Sequence, residues 1–402
     1  MIQDKSLMMI VRGVVLGTQG KALLITGFFV LLVLVTLSVL FSENGEGREI
    51  VVDENGGGDY LGIRDALNVA LEGDTITLRS GNYAADYLVG SFRENLTIRG
   101  NDSKTTRLSF AIRFSDLIVR GSNVTFSGIN FTSNSPASSY FGTTILAYNG
   151  TGITFRQCIF HQISRVGIYY SAFNTTFKNN SFINSDIHMY TSSVEHALST
   201  TFSNNTFNGR SIHFFKNQND PTIPSDHGGL LFVNCTNVTV RNWNGSHLSL
   251  GMRSFNSTRI LIENCTVNAI GGSFNFFGNS DITVSDCTIL PGPYMTFFYA
   301  MYNDDATFSN NTFFETIYLI GGDRHHIEGN IFRGESHIMF YPVTNTSIIR
   351  NSFETPGIQL IPSGNFEPFG GTSIVIEGNS IDGNPIHFYQ NERDIVVPDD
   401  TA

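Results

Sequence analysis

The chain has 402 residues, with 35 Asp or Glu against 24 Lys or Arg and a formal net charge of −11. Only 15% of residues are charged, and no basic stripe interleaved with aromatics runs through the sequence, which argues against a nucleic-acid partner. The four cysteines include no Cys-x-x-Cys pair, so a ribbon-type metal site is absent.

Residues 1–22 carry Lys5, Arg12 and Lys21 and precede Leu23–Phe41, 19 residues without a charge. At about 1.5 Å per residue such a helix crosses a bilayer. Glu43 and Glu46 follow it, so the positive-inside tendency keeps the N-terminus in the cytoplasm and exports the rest. The rival reading is a cleaved signal peptide, for which Leu40-Phe-Ser-Glu offers a weak site. The expected divisions are therefore a cytoplasmic segment 1–22, a transmembrane anchor 23–41, a linker 42–48, a folded body 49–390 and a polar tail 391–402.

The body opens with a strand at Arg48–Val52 and a turn at Gly56–Gly58. Leu61, Ile63, Ala66, Leu67, Ala70 and Leu71 then suit a short amphipathic helix that covers the first coil. From there one phrase repeats. It stands nearly bare as TTFSNNTF at Thr200–Phe207 and ATFSNNTF at Ala306–Phe313. Taking its third residue as a mark gives Phe126, Phe155, Phe177, Phe202, Val240, Ile262, Val284, Phe308, Ile327, Ile348 and Ile376. Most gaps are 19 to 29 residues, and one, between Phe202 and Val240, is 38. A unit of about 22 residues with insertions is one turn of a solenoid.

Five residues after most marks comes a second apolar residue, among them Phe131, Phe160, Phe182, Phe207, Phe313, Phe332 and Phe353. Alternate side chains of a strand face alternate ways, so the odd offset requires a bend. The bend positions are Gly128, Asn179, Asn204, Asn242, Asn264, Asp286, Asn310, Gly329 and Gly378, types that tolerate left-handed backbone. The next slot holds Asn180, Asn205, Asn311, Asn330, Asn351 and Asn379, with Cys158, Cys265 and Cys287 in other copies. Identical small polar residues in one slot of successive coils stack into an internal ladder. The expected fold is all-β: a right-handed parallel β-helix of about a dozen coils, a rod about 55–60 Å long at ~4.8 Å per strand spacing.

These repeats, with Ile50-Val-Val-Asp-Glu-Asn-Gly-Gly-Gly-Asp-Tyr60, Gly73-Asp-Thr-Ile-Thr-Leu-Arg-Ser-Gly-Asn-Tyr83 and Leu96-Thr-Ile-Arg-Gly100, resemble the pectin-lyase-like β-helix superfamily. Within it the likeness is to the NosD-type, carbohydrate-associated repeat proteins, over roughly Ile50 to Phe388. The resemblance implies polysaccharide binding along one outer face. The outward column there reads Tyr169, His188, His213, Tyr318, Gln359 and His387, and rings with a flat apolar face and a polar edge suit sugars.

Two clusters are candidates for chemistry. The long gap leaves an insertion at about Lys216–Gly228, and His188, Glu195, His196, His213, Asp226 and His227 fall around it. Of these, His188, His196, His213, Asp226 and His227 are the candidate metal ligands, with a divalent cation as the one cofactor left open. The catalytic candidates are His188 and His213 here, with Asp304, Asp305, Asp323, His325 and His326 (beside Arg324) on two later turns. The superfamily's enzyme signatures (Asn-Thr-Asp, Gly-His-Gly, Arg-Ile-Lys, Trp-x-Asp-His) do not occur. Cys265 and Cys287, in one slot of consecutive coils, are either small buried residues or a disulfide pair.

The expected function is a membrane-anchored, extracellular or periplasmic β-helix. It binds polysaccharide or a cell-surface glycan, or builds a surface layer by self-association. The alternatives are a lyase, hydrolase or epimerase with a divergent site, and a metal-handling NosD-like role. Asn-x-Ser/Thr sequons are numerous, but the repeat phrase itself spells them.

Overall fold

The computed structural model describes residues 47–85, 88–111, 116–134, 142–191, 193–292, 297–355, 357–361 and 373–388. The expected anchor Leu23–Phe41, residues 1–46 as a whole and the tail 391–402 lie outside the described residues. Among the described residues no helix is long and apolar enough to cross a membrane.

Glu49–Ala402 is one compact unit, an all-β solenoid of about 13 turns. Each coil contributes short strands to three sheets, and nearly every strand pairs in parallel with its counterpart one coil on. Sheet 1 runs from Glu49–Val52 to Thr201–Ser203, with seven strands. Sheet 2 has 14, from Gly81–Ala84 to Gly357–Leu360, and sheet 3 has five, from Val89–Ser91 to Ile187–Thr191. Sheet 4 (Thr236–Arg241 to Ile374–Glu377) and sheet 5 (Asn244–Ser249 to Asn384–Pro385) complete the later coils. The expected cap is present as helix α1, Ile63–Val69, which buries Ile63 and Ala66 at the first coil.

The repeat phrase maps onto this architecture residue by residue. The marks align across coils, Phe126 with Phe155 and Phe155 with Phe177. Their rings stack at 5.1 and 5.2 Å, and the partners Phe131, Phe160 and Phe182 stack at 5.2 and 4.9 Å. The bends Asn179, Asn204, Asn264 and Asn310 have φ of 57°, 53°, 52° and 54°. The internal ladder is continuous: the backbone N–H groups of Cys287, Asn311, Asn330 and Asn351 donate to the side-chain oxygens of Asn311, Asn330, Asn351 and Asn379 at 2.8–2.9 Å. Each asparagine thereby satisfies a backbone donor that the bend leaves without a sheet partner.

A second ladder, at another corner, is not spelled by the repeat phrase. Cys235 N–H donates to Ser257 Oγ, Ser257 N–H to Asn279 Oδ1 and Asn279 N–H to Asn303 Oδ1. The cysteines are members of these ladders rather than staples. All four thiols are free and buried, and Cys265 N–H donates to Cys287 Sγ at 3.4 Å. The disulfide alternative is thus corrected. Burial pushes the Cys158 thiol up to about 12, which makes it inert.

The solenoid does not keep one interior throughout. Two half-solenoids meet at an Asn208–Gly209 hairpin, both residues with positive φ (46° and 83°), the requirement of a two-residue type I′ turn. Across it Thr206–Phe207 and Arg210–Lys216 pair antiparallel inside sheet 2. The interior then changes sides. In the strand Gly229–Val233 every residue is buried. Leu231 belongs to the first core, while Leu230 and Phe232 belong to the second. Neighbouring residues of a strand face opposite ways, so the two cores lie on opposite faces of one continuous sheet. The 38-residue gap is this switch. Helix α2 (Val194–Ser199) seals it, packing Ala197 against Val233 and Phe255.

Candidate functional site

Sheet 3 buries Ile145, Ala147, Val166, Ile168 and Ile187 inward, so Tyr148, Gly167, Tyr169 and His188 face out. Tyr148 pairs with Tyr169 in register, and their rings stack at 5.7 Å. Tyr169 in turn stacks on His188 at 5.9 Å. The Arg120 guanidinium lies 4.6 Å over Tyr148. At the corner that ends the strand Arg165–Tyr170, Tyr170 takes φ 54° and stands edge-on to Tyr148 and Tyr169, at 5.3 and 4.5 Å. Tyr170 is 41% exposed and Phe173, three residues on, 38%, so both put apolar surface into solvent. Gly167 is needed beside them, because a Cβ there would sit 1.7 Å from the His188 carbonyl oxygen.

The expected outward column is divided by the switch of interior. Tyr169 and His188 belong to sheet 3, whereas Tyr318 and Gln359 align through Met339 on sheet 2 of the second half, with Tyr299 before them. The Tyr299 and Tyr318 rings are 5.2 Å apart. His213 is not in that column: it registers with Leu230 and faces the second core, and Phe214 takes the column's place on its strand. His387 follows the last described strand and is exposed.

Beside His188 the two halves are pinned together. Arg253 Nη2 donates to Asp186 Oδ1 at 2.9 Å, and Nη1 donates to the Gly272 carbonyl at 2.8 Å. Both side chains are nearly enclosed, 6% and 12% exposed. Burial raises the Asp186 carboxyl, against the opposing pull of Arg253 and Arg165. The His188 imidazole is pushed down to about 3 by burial first, then by Arg165 and Arg253. Glu315, also buried, accepts from the Ser273 N–H and hydroxyl. None of Asp186, Arg165, Arg253 or Glu315 stands out in the sequence, since nothing in their local pattern marks them.

The later cluster is occupied by its own contacts. Arg324 grips Asp305 through two bonds of 2.6 and 2.8 Å and also reaches Asp323. Asp323 accepts from Thr344 and Asn345, both at 2.7 Å, and Asp304 accepts from the Asp323 N–H. The Arg324 contact holds Asp305 below the usual carboxylate range, and the Thr344 and Asn345 contacts do so for Asp323. His326 sits between Ser347 (2.6 Å) and Glu328 (2.7 Å). His325 is buried, and burial lowers it. These are rungs between coils, and a carboxylate already fixed as an ion-pair acceptor is a poor proton donor or acceptor near neutrality.

The metal candidates are not brought together. Among the described residues no three His, Cys, Asp or Glu stand close enough to hold an ion. His196 bonds Ser193 at 3.1 Å and packs on Phe173, and Asp226 faces Arg210 at 4.0 Å. His227 lies 4.4 Å from the Trp243 ring.

A family model described as "Right handed beta helix region" matches residues 143–313. The sequence matches none of the curated proteins. Among solved structures the chain is similar to tailspike protein 3 of bacteriophage CBA120, at 10% identity and a TM-score of 0.32. That match covers 78% of this chain and 57% of the tailspike, so the chain spans little more than half its length. It is also similar to the surface adhesin PfbA of Streptococcus pneumoniae, at 10% identity over 78% of this chain and 95% of that one, TM-score 0.30. A PL6 alginate lyase in complex with a trisaccharide gives 13% identity over 90% and 91%, TM-score 0.32. Likeness at this level carries no inference about what this chain binds or does.

Proposed function

We propose that this chain is a non-catalytic carbohydrate-binding β-helix, exported and held at a membrane by Leu23–Phe41, with its sugar face on the outside of sheet 3. One observation carries the reading: Tyr148, Tyr169 and Tyr170 form a contiguous outward aromatic group, edged by Arg120, stacked at its inner end on His188 and ending in an exposed ring. Rings of this kind offer a sugar both apolar area and hydroxyl partners. The binding reading is favoured over a lyase or hydrolase because the candidate acids and bases are engaged. Asp305 and Asp323 are held by Arg324, Thr344 and Asn345, and His326 by Ser347 and Glu328.

The test incubates residues 43–402 with neutral and acidic polysaccharides, with calcium or with chelator, and follows both retention on the polymer and its chain length. Retention at constant length supports the proposal. Shortening or new unsaturated ends would make the chain an enzyme. Neither retention nor shortening would leave a surface scaffold.

A further inference from the structure

The two half-solenoids share sheet 2 but bury their cores on its opposite faces, and histidines gather where they meet. His227 is 3% exposed, its Nδ1 has no hydrogen-bond partner, and its ring tilts against Trp243 at 4.4 Å. His213, on the first strand after the hairpin, has an enclosed Nε2 without a partner. His188 lies on the last strand of sheet 3, next to the Asp186–Arg253 pair. We propose that this seam is an acid-sensitive joint: protons added to His227 and His188 loosen the contact between the halves while the coils of each half stay wound.

The surroundings of each ring set the direction. His227 faces His213 and Arg210 from the strand Arg210–Lys216, and on its own loop Asp226, whose side chain is 81% exposed. His188 faces Arg165 from the neighbouring strand and Arg253 from the second half, and both arginines also act on the Asp186 carboxylate. An added proton therefore meets two arginines at His188, and at His227 it meets Arg210 with the exposed Asp226 opposing. Burial leads in lowering both rings, His227 to about 4 and His188 to about 3, from an ordinary 6.5.

In an opened seam both return toward 6.5, so the open form binds more protons between that value and the lowered ones. The closed joint keeps its full stability above about pH 6.5 and loses it as pH falls, by about tenfold per pH unit for each imidazole. Asp186 works the other way, because burial raises it and the closed form takes up its proton more readily. The two imidazoles thus weaken the closed joint in acid, and the Asp186 carboxyl opposes them.

Trp243 is the only tryptophan in the chain and touches His227, so it reports on the joint directly. The experiment titrates the full chain from pH 7.5 to 4. It follows Trp243 emission together with hydrogen exchange of α2, Arg210–Lys216 and Gly229–Val233, using the Phe155 coil as reference. The expected result is quenching of Trp243 and loss of protection at the seam below pH 6.5, with the Phe155 coil still protected. His227→Phe keeps a ring on Trp243 without a titrating group and moves the transition to lower pH. The proposal is overturned if seam and coil lose protection at the same pH, or if His227→Phe titrates like the wild type. Should that variant misfold, NMR of the wild-type imidazoles decides, because a His227 titrating near 6.5 removes the basis.

Discussion

Arg253 and Asp186 are separated by 67 residues in sequence and by 2.9 Å in space. The pair ties the end of the first half-solenoid to the second, at the place where the interior passes from one face of sheet 2 to the other. A charge buried there without its partner is costly, so the seam should depend on both.

Replacing Arg253 by Leu leaves Asp186 enclosed and unpaired, and should lower stability by about 3–5 kcal/mol in urea titration. The double variant Asp186→Asn with Arg253→Met should recover a large part of that loss. A single variant as stable as the wild type would show that the pair does not hold the halves together.

Asn311→Ala should cost about 2–6 kcal/mol. It strands the Cys287 N–H and the Val284 carbonyl, two buried groups at roughly 1–3 kcal/mol each. Its neighbour Asn310 differs: it is exposed at φ 54°, so Asn310→Ala should cost only about 1–2 kcal/mol, from backbone preference. Chemical denaturation of the two variants side by side checks the ordering.

Phe160 is fully buried in the stack between Phe131 and Phe182. Phe160→Ala should cost about 3–5 kcal/mol, and Phe160→Leu distinctly less. Thermal unfolding monitored by circular dichroism would read both.

The glycines separate strain from space. Gly209 has φ 83° but open room around a would-be Cβ, so Gly209→Ala should cost about 1–2 kcal/mol and leave the protein folded. Gly167 has ordinary φ but would drive a Cβ into the His188 backbone. Gly167→Ala should therefore disrupt sheet 3 far more, as loss of soluble, protease-resistant protein.

The coil is legible in the sequence because its rules are local. A mark such as Phe155, a bend such as Asn179 and a ladder residue such as Asn180 each report a condition set within a few residues. The change of interior is not legible. It exchanges the two parities of one strand, and Gly229-Leu-Leu-Phe-Val233, apolar on both faces, carries no alternation to reveal it. That is why the long gap reads as an insertion and why His213 falls in the outward column by pattern alone. Asp186 with Arg253 is invisible for another reason: only the folded topology brings residues of distant coils together.

The most direct measurement is calorimetric titration of residues 43–402 with whichever glycan the polysaccharide panel retains, repeated on Tyr169→Ala and Tyr170→Asn (Asn tolerates the positive φ at that corner). The account predicts binding by the wild type, a loss of about tenfold in affinity for each variant and no shortening of the glycan. Unchanged affinity in both variants, with their fold intact, would contradict the assignment of the sugar face to sheet 3.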